Sequence, residues 1–299
     1  VLRAGGLTNI TRDHMDYHPT HEDYVAAKLG LFGRVLPAGA AAALNCDDPT
    51  WEEARDICAA RGIRVIGVGQ GPDAALRLTA ATFHGEGQTI AFTWEGAEYG
   101  ADLALMGGFQ ASNALCAAAL AIGCGEDPAE VFAALPKLVG VKGRMELAAT
   151  RANGARAYVD YSHTPDGLRV AIEALRLHTK GQVVVVFGAG GDRDPGKRPL
   201  MGAAAAKADI VVVTDDNPRS ENPAAIRAAI LPACPGAYDI GDRAEAILTA
   251  MDMLTPEDNL LIAGKGHETG QIVGDTILPF DDGEQARAAA AALDGDADA

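Results

Sequence analysis

The sequence predicts an α/β protein of two domains, the second built on a mainly parallel sheet, and three observations carry this. Beyond residue 146 short β-branched segments alternate with helical ones, strand 157–159, helix 167–177, strand 183–187, helix 199–208, strand 210–213. That order places a parallel sheet between two layers of helices. Leu168, Ala171, Ile172 and Leu175 recur at i, i+3, i+4 and i+7, the apolar stripe of a helix lying on a sheet. Val183, Val184, Val185 and Val186 are apolar without interruption, as a strand covered on both faces must be.

From the start of the chain, residues 24–36 read as a helix and 40–44 as a strand entering the turn Asn45-Cys46-Asp47-Asp48-Pro49. A helix over 51–60, a strand over 63–68 and β-hairpins within 76–105 follow, then helices over 109–122 and 128–135. Residues 138–143 contain Gly140 and Gly143 and read as a linker, which gives domains 1–146 and 147–299. After strand 210–213 come further units over 224–231, 244–254 and 260–263, the last read as a strand, and an alanine-rich final helix over 284–293.

Composition bounds the function. With 299 residues, 48% of them hydrophobic, the chain can bury two cores. Lysine and arginine number 25 against 41 acidic residues, a net charge of −16 with no basic stripe, which argues against nucleic acid and anionic membranes as partners. The five cysteines are odd in number and form no CxxC pair, as expected of free thiols in the cytoplasm. No apolar run approaches the roughly 20 residues of a membrane span, and there is no signal-peptide layout. Val1 stands where an initiator methionine would, and a dense polar segment follows at once; an N-terminal truncation is expected.

In parallel sheets ligands bind at loops after the strand C-termini, and four such loops are loaded with glycines and mixed charges. They run Asp160-Tyr161-Ser162-His163-Thr164-Pro165-Asp166, then Gly188 to Pro199, then Thr214-Asp215-Asp216-Asn217-Pro218-Arg219, then Gly264-Lys265-Gly266-His267-Glu268. Such loops suit a zwitterionic amino acid together with a phosphate. Gly191, Gly196 and Lys197 match the spacing of a phosphate-binding loop, but Arg198 replaces its Ser or Thr, and Asp192 and Asp194 oppose a phosphate. Gly188, Gly190 and Gly191 fall short of a dinucleotide fingerprint. Near the start, His14 and His18 lie four apart, a zinc-ligand spacing if helical, with His21 or Asp16 as further candidates. Taken alone, Lys28 reads as a solvated helix lysine.

Together these segments resemble the Mur ligase family, most closely its diaminopimelate-adding branch. Thr8-Asn9-Ile10-Thr11-Arg12-Asp13-His14-Met15-Asp16-Tyr17-His18 with Ala26-Ala27-Lys28 is similar to the central-domain segment that carries a magnesium-ligating histidine and a carbamylated lysine. The resemblance makes His14 and Lys28 the catalytic and metal residues, Lys28 as a carbamate oxygen donor to Mg2+. Gly108-Phe109-Gln110-Ala111-Ser112-Asn113 resembles an adenine-contacting element, with Gln110 in place of the usual asparagine, and implies a nucleotide role for Asn113. Gly143-Arg144-Met145-Glu146 resembles the family's domain junction, with Lys142 replacing a proline; Arg144, Asp160 and His163 would face the nucleotide. Asp216-Asn217-Pro218-Arg219 resembles the D-N-P-R sequence that reads meso-diaminopimelate, joined by Arg193, Gly264 and Glu268.

The resemblance implies the C-terminal part of a central ATP- and magnesium-binding domain, followed by a Rossmann-like ligase domain. It implies a monomeric, ATP-dependent amide ligase that joins meso-diaminopimelate to UDP-MurNAc-L-Ala-D-Glu through an acyl phosphate. The family's phosphate-binding loop, magnesium-binding glutamate and UDP-sugar domain would precede Val1, so the isolated chain is expected to be incomplete for activity. Two other readings stand beside it: a non-catalytic amino-acid- and nucleotide-binding module, and a Rossmann oxidoreductase using the 188–198 loop.

Overall fold

Short apolar strands, most of them buried along their length, build two six-stranded sheets in this computed structural model, which describes residues 2–11, 17–85 and 87–295. The chain divides into two compact units, Val1–Val139 and Gly140–Ala299.

In the first unit, β1 (Ala4–Leu7), β2 (Ala41–Asn45), β3 (Arg64–Gly69), β4 (Leu76–His84), β5 (Gly87–Trp94) and β6 (Ala97–Leu103) lie side by side in chain order. The first four run parallel, and β4, β5 and β6 then fold back as antiparallel hairpins. Helices α1 (His21–Gly30), α2 (Trp51–Ala60), α3 (Phe109–Gly123) and α4 (Pro128–Ala134) complete the unit. Strand β2 shows how both faces are filled: Ala43 joins the core under α3, whereas Ala42 and Leu44 join the core with Trp51, Ala54 and Cys58 of α2. That is the period of two of a strand buried on both sides.

The helix expected over 24–36 is interrupted. Thr20 caps α1 by accepting from the Asp23 amide at 3.1 Å, but regular α-helix stops at Gly30 and a π turn occupies Leu31–Val35. The widened turn closes with Leu36 N donating to Leu31 O at 2.8 Å, and the Phe32 carbonyl accepts from Arg61 Nη1 at 2.6 Å. A bond from outside the helix thus competes with the regular ladder.

In the second unit, β7 (Glu146–Thr150), β8 (Arg156–Asp160), β9 (Val183–Phe187), β10 (Ile210–Val213), β11 (Tyr238–Asp239) and β12 (Asn259–Ala263) form a sheet ordered β11-β10-β9-β12-β8-β7. All pairs are parallel except β7 with β8. Helices α8 (Arg243–Asp252) and α9 (Asp282–Asp294) pack together on the face from which Val184, Val186, Val212, Leu260 and Ile262 project. Helix α5 (Pro165–Arg176) covers the opposite face of β9 and β12, and α6 (Lys197–Ala205) and α7 (Pro223–Ile230) continue from it. The expected helix over 199–208 therefore begins and ends earlier. A hairpin of β13 (Gly270–Val273) and β14 (Thr276–Pro279), which the sequence reading left without structure, lies outside the sheet. Among the described residues no helix is long and apolar enough to cross a membrane.

Candidate functional site

Because β12 inserts between β8 and β9, the C-terminal ends of β8, β12, β9 and β10 stand in a row and their four loops meet. Backbone contact makes the meeting tight. Gly191 N donates to Asn217 O at 2.9 Å, and a Cβ on Gly191 would overlap the Pro218 carbonyl. Gly264 holds φ at +119°, and a Cβ there would lie 2.7 Å from Asp216 Oδ2. Only glycine combines that backbone with that approach.

Of the residues expected to read diaminopimelate, Asp216, Asn217, Arg219, Gly264 and Glu268 come together. Asn217 is buried; its Nδ2 donates to Glu268 Oε2 at 3.1 Å, while its Oδ1 accepts from Lys265 Nζ at 3.0 Å and from Ile272 N at 2.9 Å. Asp216 is buried and accepts from Asn217 N at 2.6 Å. Pro218 is buried between these loops.

Arg219 has φ of +52°, a left-handed backbone costing a non-glycine residue about 1–3 kcal/mol. The β13 strand holds it there: Arg219 N donates to Ile272 O at 3.0 Å, and Gly274 N donates to Arg219 O at 2.8 Å. In the side chain, Nη1 donates to Gly191 O at 2.7 Å. No hydrogen bond engages Nε or Nη2 among the described residues, which leaves the side-on edge that grips a carboxylate with two parallel bonds. Arg193 is exposed; a Cβ built on Gly190 would lie 3.9 Å from Arg193 Cγ and 2.8 Å from Arg219 Nη1, so the two arginines flank the same glycine.

The residues expected to face a nucleotide form a second group in this unit. The Arg144 guanidinium lies 4.9 Å from the Tyr161 ring centroid, a cation–π contact, and His163 Nδ1 stands 2.9 Å from Tyr161 O. His267 joins them with its ring 5.2 Å from that of Tyr161. Asp160 is buried, and burial pushes its carboxyl above the usual carboxylate range although Met145 N and Ser162 N donate to it at 2.8 and 2.9 Å.

In the first unit, Lys28 is exposed near the end of α1, with Nζ 5.4 Å from the centroid of the Tyr24 ring four residues earlier. It forms no ion pair with a described residue. Asn113 is exposed on the first turns of α3 and donates to Gln110 Oε1 at 3.3 Å. His14, with Asp16 of the zinc reading, lies outside the described residues. His18 and His21 approach the Tyr24 ring, at 5.4 and 6.3 Å between centroids.

Sequence reasoning gave no role to Lys265, Gln271 or Arg243. Gln271 Nε2 donates to Asp216 O at 2.7 Å. Arg243 is fully buried and holds Asp282 through two bonds at 2.7 and 2.8 Å, while Nη2 donates to Ala263 O at 3.0 Å at the end of β12. The glycines around Lys265 marked its loop; nothing local could show that Arg243, a helix-start arginine, would lie beneath two strand ends.

Comparison with known proteins places both units in one family. The Mur ligase middle domain matches residues 1–121, and the glutamate ligase domain of Mur ligases matches 143–266. The UDP-N-acetylmuramoyl-L-alanyl-D-glutamate--2,6-diaminopimelate ligase of Bradyrhizobium diazoefficiens is 55% identical over 97% of this chain, and that of Caulobacter vibrioides 52% over 94%. The chain spans 60% and 58% of their respective lengths. A solved structure described as a UDP-N-acetylmuramoyl-L-alanyl-D-glutamate--2,6-diaminopimelate ligase superposes with a TM-score of 0.64 at 32% identity, covering 97% of this chain and 60% of that one. With both domains matched in order, the chain belongs to the Mur ligase family.

Proposed function

We propose that this chain is the middle and C-terminal part of a cytoplasmic, monomeric ligase that uses ATP to join meso-diaminopimelate to UDP-MurNAc-L-Ala-D-Glu in peptidoglycan synthesis. The observation that carries the substrate is Arg219: its Nη1 is spent on Gly191 while no described residue engages its Nε–Nη2 edge, in the loop next to Glu268 and Arg193. Diaminopimelate has a second carboxylate that lysine lacks, so a selective site needs a cation for it. Arg219 takes that carboxylate, Arg193 assists, and Glu268 receives an ammonium.

In this reading ATP phosphorylates the dipeptide carboxylate, and the amine of diaminopimelate displaces phosphate from the acyl phosphate. Asn113, Arg144, Asp160 and His163 serve the nucleotide. Lys28, exposed and without an ion pair among the described residues, is open to carbamylation, and a carbamate oxygen is the hard donor that magnesium prefers. With His14 it would hold Mg2+, which supplies neutralisation of phosphoryl charge. The second unit's work is to bind and orient the amine.

Calorimetric titration tests the substrate assignment. Arg219→Ala is expected to weaken meso-diaminopimelate binding at least tenfold and leave L-lysine binding within about twofold. An equal loss for both would give Arg219 a structural role. Preference of the unsubstituted protein for lysine would overturn the substrate.

A further inference from the structure

The buried lysine of the β12 loop has no part in the reading so far. Lys265 has no solvent exposure, so it cannot touch a ligand without displacement. A buried ammonium is costly unless its donors are satisfied, and its partners are two residues of the amino-acid site. Nζ lies 3.0 Å from Asn217 Oδ1 and 3.5 Å from Glu268 Oε2.

The chemistry of these groups allows one arrangement. An ammonium can only donate, and so can the Ile272 amide, which reaches the same Asn217 Oδ1 at 2.9 Å. Two donors therefore fix the amide with its oxygen inward, and Nδ2 must point the other way, where it donates to Glu268 Oε2 at 3.1 Å. Both the amide and the ammonium act on Oε2. Glu268 Oε1 has no hydrogen-bond partner among the described residues, and its side chain is 36% exposed. The carboxylate is thus held by one oxygen and presents the other.

We propose that Lys265 is a positioning residue of the amino-acid site, locking the Asn217 amide and through it aiming the Glu268 carboxylate at the substrate ammonium. This rests on the reading of the loops as an amino-acid site.

A double-mutant cycle on the whole chain separates positioning from plain structural support. Binding of meso-diaminopimelate is measured by calorimetry for the unsubstituted protein, Lys265→Met, Glu268→Gln and the double variant, with thermal melts alongside. Lys265→Met is expected to weaken binding at least tenfold, about 1.4 kcal/mol. In the Glu268→Gln background the same substitution is expected to change affinity less than twofold, because the group it aims is already neutral. Equal losses in the two backgrounds, or a Lys265→Met affinity within twofold of the unsubstituted protein, would overturn the proposal and leave the amino-acid site standing. Absence of binding by the unsubstituted protein would instead overturn that site, and the proposal with it. Should Lys265→Met fail to fold, Lys265→Gln, which keeps a donor and removes the charge, goes through the same cycle under the same criteria.

Discussion

Replacing Asp282 by alanine would strand a fully buried guanidinium beneath the ends of two strands. Arg243 and Asp282 have no exposed side-chain surface, and their two bonds measure 2.7 and 2.8 Å. Burial alone would lower the Arg243 pKa, but the charge and hydrogen bonds of Asp282 more than offset it, so the arginine stays ionised. Removing one partner of such a pair costs about 3–5 kcal/mol. The lower end applies here, since Arg243 keeps its bonds to Ala263 O at 3.0 Å and Asp215 O at 3.4 Å. Both tryptophans, Trp51 and Trp94, lie in the first unit, so their fluorescence does not report on the second. Hydrogen exchange at Leu261 and Ile262 in β12 does. A loss of about 3 kcal/mol lowers their protection by about two powers of ten. The paired change Arg243→Met with Asp282→Leu removes both charges and is expected to recover most of that loss. Protection changing less than fivefold in Asp282→Ala, or a paired variant as exposed as the single one, would refute the argument.

Two further outcomes are expected. If Lys28 carries a carbamate, protein equilibrated with 13C-bicarbonate will show a carbamate resonance that is absent from Lys28→Ala; no resonance in the unsubstituted protein would remove Lys28 from the metal site. The second concerns acid. Burial raises the Asp281 carboxyl, but the Lys142 ammonium at 2.9 Å and the amides of Gly283 and Glu284 outweigh it, leaving the folded value depressed. Its contribution is then present above the unfolded value of about 3.9 and is lost as pH falls through the depressed folded value. Asp281→Asn should flatten the decline of second-unit stability below about pH 4, read from β12 amide exchange; an unchanged pH slope would discount the pair.

Local chemistry was enough for most elements. The valine run of β9 is a buried strand in any context that covers both faces, and the Leu168 stripe is a helix on a sheet, so both appear where periodicity put them. Elements whose pairing gives them their shape were not legible. Strand β7, with Leu147 exposed, carries no alternation of its own and exists because β8 offers an open edge. The β13–β14 hairpin exposes β14 throughout, so its residues look like a loop. Yet β13 and the turn after it supply both backbone hydrogen bonds to Arg219 in its left-handed conformation.

The candidate site divides the same way. Sequence alone singled out the loops proposed to carry chemistry, because glycines and charges clustered after apolar strands are visible as a pattern, and the family resemblance attached expected roles to Asp216, Asn217, Arg219, Gly264 and Glu268. Tertiary structure decided which atoms of those residues remain available. Arg219 gives Nη1 to a carbonyl of a loop 28 residues away, and Asn217 takes donors from Lys265 and Ile272, 48 and 55 residues away. Hydrogen-bond partners fixed over such separations follow from the insertion of β12 between β8 and β9, and strand order in a parallel sheet is set by packing across the whole unit rather than by any local run of residues.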